Sequence, residues 1–169
     1  MNLMIILVFV ISGARALAHG DKKHANVSEI KTHHEADQSQ SLNEKQRLLN
    51  IYGQINTSYM QNVKPLFLKA CYDCHSDKTV HPWYYSIPGV QQFIDHKIFE
   101  AKKHLDFSKD FPFVSHDSPL EDLVSIKKTV LGGEMPPLTY RLMHADSKLR
   151  LKEKQAVAEW VNNSLERLK

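Results

Sequence analysis

Two cysteines in 169 residues are too few for a disulfide framework. Neither sign of charge dominates: 22 Lys and Arg stand against 19 Asp and Glu, a net +3. That balance argues against a surface built for nucleic acid or an anionic membrane. No apolar run reaches the ~20 residues that cross a bilayer, which excludes a polytopic membrane protein. No alternating strand of useful length and no internal repeat is found. What is present is 42% hydrophobic and 24% charged residues, enough for one modest core in one domain and too apolar for a wholly disordered chain.

The longest apolar stretch, Leu3 to Ile11, stands at the start of the sequence. With the small-x-small triplet Ala16-Leu17-Ala18 behind it, it predicts a secretory signal peptide over 1–18, although Met1-Asn2 carries no positive charge. Export to the periplasm, without stable membrane insertion after cleavage, is the expectation. Cleavage removes Arg15 and leaves a net charge of +2. Residues 19–42 are polar and lack apolar periodicity, which predicts a flexible tail. Four of the ten histidines lie there: His19, His24, His33 and His34. Their irregular spacing, with no cysteine to complete a site, reads as a solvated tail rather than a metal site.

From 43 to 169 the pattern is helical. Leu48, Tyr52, Ile55 and Tyr59 recur at helical spacing and predict a helix over 43–60. Val63, Leu66, Phe67 and Ala70 line a short helix with Pro65 in its first turn. A third helix follows Pro88-Gly89 with Val90, Phe93, Ile94, Ile98, Ala101 and Leu105. Ser118-Pro119-Leu120-Glu121 is a capping box that opens a fourth helix, closed by Gly132-Gly133. The last helix, over about 150–167, presents Val157, Trp160, Val161 and Leu165. The fold class is all-α, with long loops at 76–88, 106–117 and 133–148 that are expected to enclose something other than protein core.

Both cysteines fall in Cys71-Tyr72-Asp73-Cys74-His75. This is C-x-x-C-H, the attachment signal of c-type haem. Two thiols three positions apart reach the two vinyl groups of one haem, and the adjacent imidazole turns onto the iron. Three other chemistries use such residues. A thioredoxin-like pair wants a βαβ context that is absent. A structural zinc needs a fourth ligand, here another histidine. A Cys71–Cys74 disulfide closes too short a loop to stabilise much. One covalently attached haem c is the expected cofactor, held by Cys71 and Cys74 with His75 as proximal ligand.

The distal ligand is expected from Gly133-Glu134-Met135-Pro136-Pro137, where prolines restrict the backbone beside a soft thioether. A Met/His pair raises the reduction potential of haem iron. Met135 can alternatively be a gap-filling core residue. Met60, Met143, His81, His96, His104 and His144 are the rival ligands. Propionates call for N–H and O–H donors, and Trp83, Tyr84, Tyr85, Tyr140 and Arg141 lie in the flanking loops; Trp83 and Tyr140 are the candidates, with aromatic packing as the other reading.

The order helix, C-x-x-C-H, helices, Met-Pro loop, helix is similar to class I cytochrome c. By that resemblance the first and last helices cross, with Phe67 and Trp160 as core partners. The segment from about Val63 to Leu165 more specifically resembles the bacterial haem-binding domain family of monohaem cytochromes. Val63-Lys64-Pro65-Leu66-Phe67, Cys71-Tyr72-Asp73-Cys74-His75-Ser76, Pro82-Trp83-Tyr84, His104-Leu105-Asp106-Phe107-Ser108 and Glu134-Met135-Pro136-Pro137-Leu138-Thr139-Tyr140 carry the likeness. The resemblance implies a periplasmic c-type haem with a methionine ligand and no particular catalysed reaction.

Two functions therefore stand as expectations. In the first, both axial positions are filled and the protein carries electrons to a redox partner protein. In the second, Met135 is absent from the iron or labile, and a haem-based sensor or peroxidase-like enzyme results, with His81, His96 or His104 as the distal polar group. Metal handling by the His-rich tail is a weaker third.

Overall fold

A computed structural model describes the backbone of residues 27–169 and the side chains from Gln38 onward. The expected leader at 1–18, with His19 and His24, lies outside the described residues, as do the side chains of His33 and His34. Among the described residues the fold is all-α but for one two-stranded ribbon, and no helix is long and apolar enough to cross a membrane.

Helix α1 (Val27–Asn62) begins well ahead of position 43, so residues 27–42, read from sequence as a flexible tail, form its first part. The physical reason is the lack of breakers: no Pro interrupts α1, and its one Gly is Gly53, whereas polar side chains do not by themselves oppose a helix. Residues Gln40–Lys169 make one compact unit. Its core begins where α1 turns apolar, at Ile55, Tyr59 and then Val63.

The following elements sit close to their expected places for local reasons. Helix α2 (Lys64–Ala70) carries Pro65 in its first turn, where a missing N–H is harmless. Helix α3 (Tyr72–His75) follows at once, then a 3₁₀ turn at Trp83–Ser86. Gly89, at φ 86°, opens α4 (Val90–His104) in a conformation that favours glycine. Strands β1 (Leu105–Asp106) and β2 (Val114–Ser115) pair antiparallel, Leu105 opposite Ser115. Helix α5 (Pro119–Gly132) starts at the Ser118/Glu121 capping box and ends at Gly133, φ 77°. Helix α6 (Leu138–Met143), a second 3₁₀ turn (Ala145–Ser147) and α7 (Leu151–Arg167) complete the chain.

The core is aromatic, with Tyr59 at its centre. Its ring centroid lies 5.8 Å from that of Phe67, 5.6 Å from Trp160 and 5.1 Å from Phe113. Phe67 and Trp160 are both buried, as expected, and Tyr59 stands against each of them. The Trp160 indole N–H donates to the Ile55 carbonyl at 3.4 Å, which joins α7 to α1, while α5 packs along α7. The loop 106–117 departs from expectation. It encloses protein, because Phe107, Phe111 and Phe113 all turn into the core. Lys64 to Asp110 (2.7 Å) and Lys69 to Glu153 (2.5 Å) tie α2 to that loop and to α7. Such partly exposed pairs contribute at most about 1 kcal/mol each, so the aromatic cluster is the main restraint on α2.

Candidate functional site

Helix α2 delivers the chain into the Cys71–His75 turn without a break. The Cys71 amide donates to the Phe67 carbonyl, and the Cys74 and His75 amides both donate to the Cys71 carbonyl, at 2.8, 3.1 and 2.9 Å. A helical turn of this kind sets residues i and i+3 on one side. Cys71 and Cys74 thus share a face, and neither is in a disulfide.

His75 is held at three points. Its ring Nδ1 lies 2.7 Å from the Leu105 carbonyl oxygen. A carbonyl only accepts, so Nδ1 carries the proton and the lone pair is on Nε2. Its own carbonyl accepts from the Phe107 amide at 2.6 Å, and the Phe107 ring packs 5.4 Å from the imidazole. Burial lowers the His75 pKa, against the smaller opposing pull of the Leu105 carbonyl, and keeps the ring neutral at pH 7. A neutral imidazole with a fixed tautomer and an available Nε2 is what a metal requires. The β1 segment provides the clamp, and its own turn is fastened by Asp106, which accepts from both the amide and the hydroxyl of Ser108.

The thiols are not poised as nucleophiles. Burial, then the neighbouring Cys74, pushes the Cys71 thiol up to about 12; burial and the Asp73 charge raise Cys74. A redox pair attacks through its thiolate, and little thiolate is present at neutral pH when both pKa values are raised. Among the described residues no group of three or more His, Cys, Asp or Glu is arranged to hold a metal ion.

Asp73, one of the two spacer residues of the motif, was not singled out from sequence. Its carboxylate accepts from the Tyr140 hydroxyl at 2.6 Å and from the Val80 amide at 3.0 Å. It thereby joins the Cys71–His75 turn to the loop after it and to α6. Tyr140 is 67 residues away in sequence, a separation that no periodicity reveals. Burial, reinforced by Asp73, raises the Tyr140 pKa, so its phenol stays a donor through the neutral range. The Tyr140 hydroxyl, expected from sequence to serve a propionate, is engaged by Asp73. The ring of Tyr140 stacks on His144 at 4.1 Å, and His144 in turn lies 6.5 Å from Tyr84. A hydrogen bond to a carboxylate contributes about 1.5–3 kcal/mol. Tyr140→Phe is expected to lower the thermal midpoint by several degrees while the stacking on His144 persists. An unchanged midpoint in calorimetry would show that this bond does not fasten α6.

Met135 is part of a loop pinned to the end of α5, where the Thr129 carbonyl accepts from the Glu134 and Met135 amides at 3.0 and 3.4 Å. The following Pro136 is buried, and the Met135 side chain remains 37% exposed. It is therefore not a core residue. Trp83 is 81% exposed. Among the rivals, Met60 accepts from the Lys64 ammonium at its sulfur, 3.4 Å, and Met143 is exposed. His81 stacks on Tyr85, which donates to Asp95, and His104 lies beside His116; these histidines and His96 are exposed. An open groove of about 750 Å³ runs between residues 76–81 and α4. None of Cys71, Cys74 and His75 lines it, so donor chemistry and not concavity marks the site.

Residues 41–163 match the haem-binding domain family. The chain is also similar to the cytochrome c peroxidase Ccp of Escherichia coli (strain K12), 28% identical over 95 residues. That stretch is 55% of this chain and 20% of the peroxidase. No solved structure matches.

Proposed function

The chain belongs to the haem-binding domain family, and from that premise we propose that it is an exported monohaem c-type cytochrome that carries electrons. Cys71 and Cys74 would hold one haem through thioethers, His75 would be its proximal ligand and Met135 its distal one. The haem supplies a one-electron couple at its iron. The observation that carries this reading is the clamp on His75, whose protonated Nδ1 at the Leu105 carbonyl leaves Nε2 as the ligating atom.

The residues around the turn suit such a group. Two thiols share a face beside His75, and the exposed Trp83 offers an indole N–H. Arg141 has a buried Nε with no hydrogen-bond partner among the described residues. A buried donor left without an acceptor costs about 1–3 kcal/mol, and more when charged. Tyr140 serves here by holding α6 to Asp73.

The peroxidase relative favours a second reading, a peroxidase-like or sensing haem with an open or labile distal position. The matched stretch is a fifth of that enzyme, and the three histidines this reading would use are exposed, two of them occupied by ring contacts. Electron transfer is the better supported of the two.

The test is maturation in a periplasm that attaches haem. The expected result is a mass gain of one haem that survives denaturation and is lost in Cys71→Ala/Cys74→Ala. A chain that emerges without covalent haem would return Cys71, Cys74 and His75 to zinc or thiol chemistry. Wild-type protein that binds carbon monoxide readily would favour the second reading.

A further inference from the structure

The proposed function leaves one charged group unexplained. Arg141 makes no salt bridge with any described carboxylate, and its Nε is buried without a partner. Arg141 as a residue is half-buried, with its Nε out of contact with solvent, and a guanidinium keeps its charge at every accessible pH. Such a group calls for an anion from outside the chain. Its position narrows the choice. Arg141 follows Tyr140, whose hydroxyl is bonded to Asp73 inside the attachment turn, and precedes His144, whose ring faces Tyr84. Helix α6 is thus fixed between the attachment turn and the 3₁₀ turn that carries Trp83. The charged or titratable groups that face this stretch include Asp73, Cys74, Tyr84 and His144, and Asp73, the carboxylate among them, already accepts from Tyr140 and Val80.

We infer that Arg141 anchors a propionate carboxylate of the haem, which makes α6 the element that reads the acidic edge of the cofactor. The planar fork of an arginine matches a carboxylate with two parallel N–H···O bonds. The inference rests on the covalent-haem reading given above and adds to it the residue that neutralises the propionate.

The experiment compares wild type, Arg141→Gln, Arg141→Lys and Arg47→Gln, all haem-loaded, by reduction potential and by the propionate bending band in resonance Raman spectra. Arg47 is exposed on α1 and controls for loss of one positive charge. Removing the charge beside a propionate favours the ferric form. Arg141→Gln is therefore expected to lower the potential, by about three- to tenfold in the ferric-to-ferrous ratio, as one charge produces at intermediate dielectric. Its propionate band should move. Arg141→Lys should recover most of the potential but not the band position, because an ammonium lacks the fork. Arg141→Gln with the potential of Arg47→Gln and the band of wild type would overturn the inference. Should Arg141→Gln fail to fold, an unmoved band in Arg141→Lys would overturn it equally. Wild type without covalent haem would overturn both readings, whereas a silent Arg141→Gln in a loaded His/Met cytochrome overturns this one alone.

Discussion

Met135→Ala is expected to convert a six-coordinate, low-spin spectrum into a high-spin one, to abolish the weak near-red methionine–ferric band, and to let carbon monoxide bind where the wild type excludes it. The potential should fall, because a Met/His pair raises it and axial ligands set potentials across a span of ~0.8 V. The size of the effect follows from how Met135 is held. Its loop is fastened upstream by the Thr129 carbonyl and downstream, through α6, by Tyr140 on Asp73. Pro136 and Pro137 remove backbone freedom between those two fastenings. The fastenings are on the backbone, and the partly exposed Met135 side chain has no packing role that alanine would disturb, so the variant should fold as the wild type does. An unchanged low-spin spectrum would reassign the distal position to Met143 or to a histidine.

The parts of this molecule legible in the sequence are those whose causes are local. The Ser118/Glu121 box, Pro65 in the first turn of α2, Gly133 at the end of α5 and the apolar face of α7 each depend on residues within a few positions of one another. The Cys71–His75 turn is legible for the same reason, since its helical spacing is set within five residues. What stayed hidden depends on residues far apart. Leu105 and Phe107 clamp His75 across about thirty positions, and the stretch that contains them carries a family likeness that shows no such role. Asp73 looked like a spacer until Tyr140 met it. The loop 106–117 lacks helical period, yet its Phe107, Phe111 and Phe113 were a signal that it enters the core, because three phenylalanines in seven residues are rarely left in water. The early start of α1 was hidden for the opposite reason: a polar stretch without breakers supports a helix as readily as a coil, and composition does not separate them.

Trp160→Ala is expected to cost about 3–5 kcal/mol, the range for removing a buried aromatic ring. That is a large share of the 5–15 kcal/mol that stabilises an ordinary domain, and it should lower the thermal midpoint by on the order of 10–20 °C. The indole is 2% exposed and meets Tyr59, Phe111 and Phe113, rings contributed by α1 and by the loop 106–117. Trp160→Phe keeps most of that contact and loses the long 3.4 Å bond to Ile55, so about 1–2 kcal/mol is expected. The same cluster runs on to the site: Phe113 packs 4.8 Å from Phe107, and Phe107 packs against His75. Below its transition the alanine variant should retain a wild-type haem spectrum, because the bonds on His75 are to nearby backbone and do not involve α7. At the transition, helicity by circular dichroism and the low-spin spectrum should disappear together, as in a two-state unit whose core and site share Phe107. Two separated transitions, or a loss below 1 kcal/mol in Trp160→Ala, would mean that the Cys71–His75 turn is supported independently of the aromatic core.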